Sequence, residues 1–187
     1  LFYKFKAKRL IIDGNGLGIG LLDYLVKPQI DPDTNELFPD FGVYNDEDGY
    51  YKKYRTQNCE QDALYIIKAN APINTEAHAN AQTQLSSGKV KMLIDERVAK
   101  TKLLGTKVGQ NMTPEERAEY LKPFTLTSIL KEEMMNLREE TEGVNIILKQ
   151  ANRGIRKDKF SAFEYGLYYI KHEEDNKKKK KKFNAKE

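Results

Sequence analysis

Cysteine is nearly absent from this chain: Cys59 is the only one in 187 residues, which excludes an internal disulfide and fits a reducing compartment. Long apolar runs are missing as well. No stretch approaches the roughly 20 residues of a membrane span, and no signal-peptide pattern opens the chain, so a soluble, intracellular protein without membrane contact is expected. Two nucleotide-binding signatures are also lacking. The glycine-rich stretch at residues 14–20 fails G-x-G-x-x-G in both registers, because Ile19 and Leu21 stand where the last glycine belongs. No Gly-Lys followed by Ser or Thr occurs anywhere, which excludes a phosphate-binding P-loop. Histidine is limited to His78 and His172; neither has a partner at ligand spacing, and both are expected in surface roles.

The formal net charge of +4 hides an asymmetry. Of 32 basic and 28 acidic residues, residues 177–187 hold seven lysines and one glutamate, so the body has 25 basic against 27 acidic, a net of −2. The body is not a basic protein. The run Lys177–Lys182 is expected to be a solvated, disordered tail, since like charges repel and nothing nearby buries them. Length allows one domain with a substantial core, expected over residues 1–172, with the lysine-rich tail over 173–187. The chain opens on Leu1 without an initiator methionine and reads as part of something longer.

What is present is concentrated in two places, the first of them residues 8–25, KRLIIDGNGLGIGLLDYL. Leu10, Ile11 and Ile12 predict an interior strand, with Asp13 at its carboxyl end, where side chains open onto a crevice. The glycines Gly14, Gly16, Gly18 and Gly20 let the chain turn sharply and approach a neighbour closely. A plainer role for Asp13 is that of a helix N-cap. Residues 16–27 predict a helix, with Leu17, Leu21, Leu22 and Leu25 on one face and Pro28 ending it.

Further along, residues 28–60 read as loop with a short hairpin, Ala63–Lys68 as a second strand and Asn74–Leu85 as a polar helix. Val90–Ile94 predicts a third strand finishing on Asp95. Thr113, Pro114 and Glu116 form a capping box, so a helix should run to about Leu121 and stop before Pro123. Leu126–Glu142 predicts another helix, stopped by Gly143, and Val144–Leu148 a fourth strand. Residues 149–157 read as a basic loop and Lys159–His172 as the last helix. Strands alternating with helices predict a layered α/β domain.

The second concentration is KQANRGIRKDKFSAFEYGLYYI, residues 149–170. Lys149, Arg153, Arg156, Lys157 and Lys159 crowd around Asp158 at the start of that last helix. A carboxylate there is stabilised by the helix dipole, but five cations exceed what one cap needs. At this density they form a rim suited to a nucleic-acid backbone, which they would bind without reading its sequence. Asp13 and Asp158, from distant parts of the chain, are the kind of acids that a divalent-metal phosphodiesterase uses, because magnesium prefers carboxylate and water oxygens. Asp95 is a third, weaker candidate, with a polar strand end as its plainer role. Asp23 and Asp62 have less support. Tyr50, Tyr51 and Tyr54, near Lys52, Lys53 and Arg55, either stack on bases or pack half-buried.

The segments LIIDGNGLGIGLLDYL, IIKANAPIN, SSGKVKMLID and RKDKFSAFEYGLYYI, spanning roughly residues 8–172, resemble the carboxyl-terminal nuclease domain of the large terminase subunit of tailed bacteriophages. The resemblance rests on motif order and spacing. It implies a ribonuclease H-like α/β fold, a mixed sheet flanked by helices, here without its first strands. It also implies metal-dependent cutting of concatemeric double-stranded viral DNA, with two Mg2+ or Mn2+ ions. Asp13 matches the family's second metal-binding acid and Asp158 its final one. The first acid belongs to a strand and β-meander that do not precede Leu1, and Asp95 is the best internal substitute. The implied partners are DNA, the portal protein and the small terminase subunit, in the host cytoplasm and not in the mature virion; weak or no cleavage is expected of this chain alone. Another ribonuclease H-like nuclease or resolvase, and a non-catalytic DNA- or partner-binding module of that fold, are the alternatives.

Overall fold

The computed structural model describes residues 2–184 except Lys4, Leu17, Asn58 and Glu60, with side chains described as far as Lys179. The fold is mixed α/β, with a parallel sheet and helices. The chain divides into two compact units, Leu1–Ile73 and Asn74–Glu187, where length alone pointed to one.

The first unit is built on a three-stranded parallel sheet. Strand β1 (Leu10–Asp13) is followed by helix α1 (Gly18–Leu25) and by a small antiparallel pair, β2 (Gln29–Ile30) and β3 (Leu37–Phe38). Strand β4 (Gly42–Val43), a 3-10 turn at Lys52–Tyr54 and strand β5 (Asp62–Ile67) complete it. The sheet order is β1-β5-β4, so β5 is central, and Ala63, Leu64, Ile66 and Ile67 are all buried. A near-continuous apolar run is what a parallel strand covered on both faces requires. Strand β1, expected inside the sheet, lies at its edge among the described residues. Helix α1 drops Leu22 and, just beyond it, Val26 into a core with Ile12, Phe41 and Leu64. Leu21, assigned to the buried face, is exposed, and Leu17 lies outside the described residues.

The second unit is helical, with one hairpin. Helix α2 (Ala71–Ser86) carries the boundary in its first turn, followed by α3 (Glu96–Leu104), α4 (Lys107–Asn111) and α5 (Pro114–Met135). Strands β6 (Leu137–Glu142) and β7 (Asn145–Gln150) pair antiparallel over six residues, and α6 (Asp158–Asn184) closes the chain.

Four expectations are corrected here. Val90–Ile94 forms no strand: among the described residues no partner strand lies beside it, and Lys131 donates instead to the Leu93 carbonyl at 2.7 Å. The capping box at Thr113 and Glu116 is present, but the helix continues through Pro123. One lost hydrogen bond and a ring clash cost about 3 kcal/mol, offset by docking on α3, where Glu96 N–H donates to Ser128 at 3.3 Å. The helix assigned to Leu126–Glu142 ends at Met135, and residues 137–142 are strand. They are good helix formers, yet β7 needs an antiparallel partner, and Gly143, at φ +62°, makes the two-residue turn that provides one. Finally, α6 runs on from the expected end at His172 to Asn184. It takes in the lysine run assigned to a tail, because lysine is a good helix former extending an already nucleated helix. No helix among the described residues is long and apolar enough to cross a membrane.

Candidate functional site

Asp13 sits where the pattern of residues placed it, at the carboxyl end of β1, opposite Ile67 on β5. Its side chain is exposed, and Oδ1 accepts the Asn15 N–H at 3.0 Å. Asn15 in turn donates to the Ala69 carbonyl at 2.9 Å, tying this turn to the segment leaving β5. Two of the glycines, Gly14 and Gly18, have a steric purpose. A Cβ on Gly18 would lie 1.6 Å from the Asp13 carbonyl oxygen, and one on Gly14 would lie 2.6 Å from an Ile66 methyl. Only Gly16 needs a left-handed backbone, at φ +55°. On the other side of β5, the Asn45 side chain donates to the Ile66 carbonyl at 2.8 Å and accepts its N–H at 2.9 Å, prolonging the ladder where β4 has ended.

Asp158 opens α6 and is largely exposed, with Arg156 3.8 Å away. It does not cap the helix. Lys157, at the cap position, has no acceptor side chain, and the N–H of Phe160 is taken by Glu133 of α5 at 2.9 Å. Glu133 is 2% exposed and also faces Lys159, at 3.6 Å. The five expected cations are therefore not equivalent. Lys149 is paired with Glu140 across the hairpin, which holds its ammonium above the ordinary lysine range. Lys159 leans on Glu133. Arg153, Arg156 and Lys157 remain exposed on the loop.

Asp95 is the N-cap of α3 and not a strand end. Its Oδ1 accepts the Arg97 backbone N–H at 2.9 Å, the main reason its carboxyl is held below the usual range, with the Arg97 side chain adding to it. Asp62 is paired with Arg55 at 3.0 Å. Lys53 lies over the rings of Tyr50 and Tyr54, 4.1 and 4.9 Å from their centroids, in a cation–π arrangement that Lys27 joins at 5.8 Å from Tyr54, while Tyr51 packs against the core.

His78 departs most from expectation. It lies nearly buried on α2, with Nε2 3.3 Å from Glu139 of β6 and Nδ1 3.9 Å from Glu164 of α6. The Glu164 carboxylate is the largest influence and raises its pKa, burial opposes that, and Glu139 adds to the rise. It lines a cavity of about 300 Å³ with Leu85, Met134, Leu148 and Phe160. Glu133, Asn136, Glu139 and Glu164 carry no motif signal, because polar residues on helices, strands and helix ends are ordinarily solvated.

Asp13 belongs to the first compact unit and Asp158 and Asp95 to the second. Among the described residues, no three His, Cys, Asp or Glu side chains gather as a metal-holding group. Asp13 and Asp158 each keep exposed carboxylate oxygen, the donor type that magnesium and manganese prefer. No protein-family model, curated protein or solved structure matches the chain.

Proposed function

We propose that this chain is a nuclease region of ribonuclease H-like type from a phage packaging terminase, acting on double-stranded DNA by phosphodiester hydrolysis. The observation that carries this reading is the start of α6: Asp158 is exposed beside Arg156, at the end of a loop that also exposes Arg153 and Lys157, while Glu133 has taken over the capping. An exposed acid next to a loop with three exposed cations suits a phosphate-bearing substrate. Asp13, exposed at the carboxyl end of a parallel strand, is the second element of the reading. In this proposal Asp13 and Asp158 each offer carboxylate oxygen to Mg2+ or Mn2+, whose charge would stabilise the reacting phosphate and activate water. Arg153, Arg156 and Lys157 hold the DNA backbone, with portal protein and small terminase subunit as partners in the host cytoplasm.

The test is plasmid nicking with manganese by the complete parent protein. Asp13→Ala and Asp158→Ala should each reduce nicking at least about a hundredfold with circular dichroism unchanged. Unchanged nicking in both variants overturns the assignment. Tight duplex binding with no cutting in any divalent metal would instead identify a non-catalytic DNA-binding module.

A further inference from the structure

The last turn of α5 carries Glu133 and the residue after it carries Asn136, three positions apart and so on one face. Both are almost wholly buried, at 2% and 7% exposure. Buried polar groups need partners, and the side-chain partners of these two all lie in residues 152–160. Asn136 accepts the Ala151 N–H on its backbone carbonyl at 2.7 Å and the Asn152 N–H on Oδ1 at 2.8 Å. Its Nδ2 donates to the carbonyls of Asn152 and Ile155, at 2.9 and 3.4 Å. Gln150 adds a bond to the Ile155 carbonyl at 2.6 Å. Glu133 secures the far end through the Phe160 N–H. The backbone of the basic loop is thus held at both ends by one helical turn, while Arg153, Arg156 and Lys157 project outward from it.

We propose that Asn136 and Glu133 are the positioning residues of a preorganised polyanion-binding loop, which presents these cations to a nucleic-acid backbone without first having to order the chain that carries them. This rests on the DNA reading above. Preorganisation acts on affinity through the entropy of ordering, whereas the cations act through the number of phosphates neutralised, which sets the salt dependence. The two contributions are separable by experiment.

Duplex DNA binding by the full chain is measured by fluorescence anisotropy over a salt series. The Arg153→Ala/Arg156→Ala double variant should weaken binding and flatten the slope of log K against log salt by about 1.8. Asn136→Ala should weaken binding about tenfold with the slope unchanged, because every cation remains, and should speed amide exchange in residues 151–157. Should Asn136→Ala fail to fold, Asn136→Leu decides by the same readout, since it keeps the side-chain volume, adds no charge and loses all three side-chain hydrogen bonds. No duplex binding by the wild-type chain overturns the DNA reading and this proposal together. Weakened binding in the arginine variant, with wild-type affinity in a folded Asn136 variant, overturns the positioning role alone.

Discussion

His78 illustrates how much a single residue depends on what the fold brings to it. Its neighbours along the chain are unremarkable, yet Glu139 and Glu164 face its two ring nitrogens and favour the imidazolium against the penalty of burial. A histidine pKa raised by folding contributes stability that is fully present below the unfolded value of about 6.5 and is lost as pH rises through the higher folded value. Urea unfolding midpoints measured between about pH 5.5 and 8.5 should therefore fall with rising pH across that window. His78→Gln should flatten this fall; an identical pH dependence in the variant would show that the histidine is not the titrating group. Legibility at this scale was uneven. Asp13 and Asp158 were found because each begins or ends an element recognisable from local pattern. Glu133 and Asn136 were not, because their meaning lies in the loop they hold.

At the scale of elements, the turn from β1 into α1 is specified by sterics. Gly18 has no room for a side chain against the Asp13 carbonyl, whereas Gly16 has open space around it and only its left-handed backbone to satisfy. Gly18→Ala is expected to cost about 3 kcal/mol or more and Gly16→Ala about 1–2 kcal/mol, read as melting temperatures in that order below wild type. The reverse order would mean that the turn is not built in this way. Gly14 and Gly18 thus have a sufficient reason in backbone packing and Gly16 in its left-handed backbone, while Gly20 has open space around it. Elements were legible where local signals agreed, as in β5, α2 and the Thr113 capping box. They were misread where a distant partner decided. Residues 137–142 have helical propensity and form a strand because NIILKQ, after the Gly143 turn, requires a partner. Val90–Ile94 has strand composition and forms none, because among the described residues no strand is beside it.

For the whole molecule, charge is the property most open to test. Removing residues 177–187 takes the formal net charge from +4 to −2, and the run Lys177–Lys182 that it removes lies along the carboxyl-terminal part of α6. If the lysine run binds phosphate, the truncated chain should bind duplex DNA more weakly, with a salt slope shallower by about 0.9 for each phosphate no longer neutralised. An unchanged slope in the same anisotropy series would mean that the run neutralises none. The division into two compact units was not legible, because the boundary falls inside the first turn of α2 and no proline-, glycine- or serine-rich linker marks it.

The amino-acid sequence by itself determined the α/β class, the strand that ends on Asp13, the helix that opens on Asp158 and the cations before it, since these follow from side-chain periodicity, glycine sterics and local charge. Tertiary structure alone decided that Glu133 caps α6, that Asn136 holds the basic loop, that Lys149 and Lys159 are engaged by acids from other elements and that His78 lies between two carboxylates. The physical reason is that a hydrogen bond or ion pair between residues far apart in the chain has no local signature: its partners are ordinary residues until folding places them within about 3 Å and removes them from water.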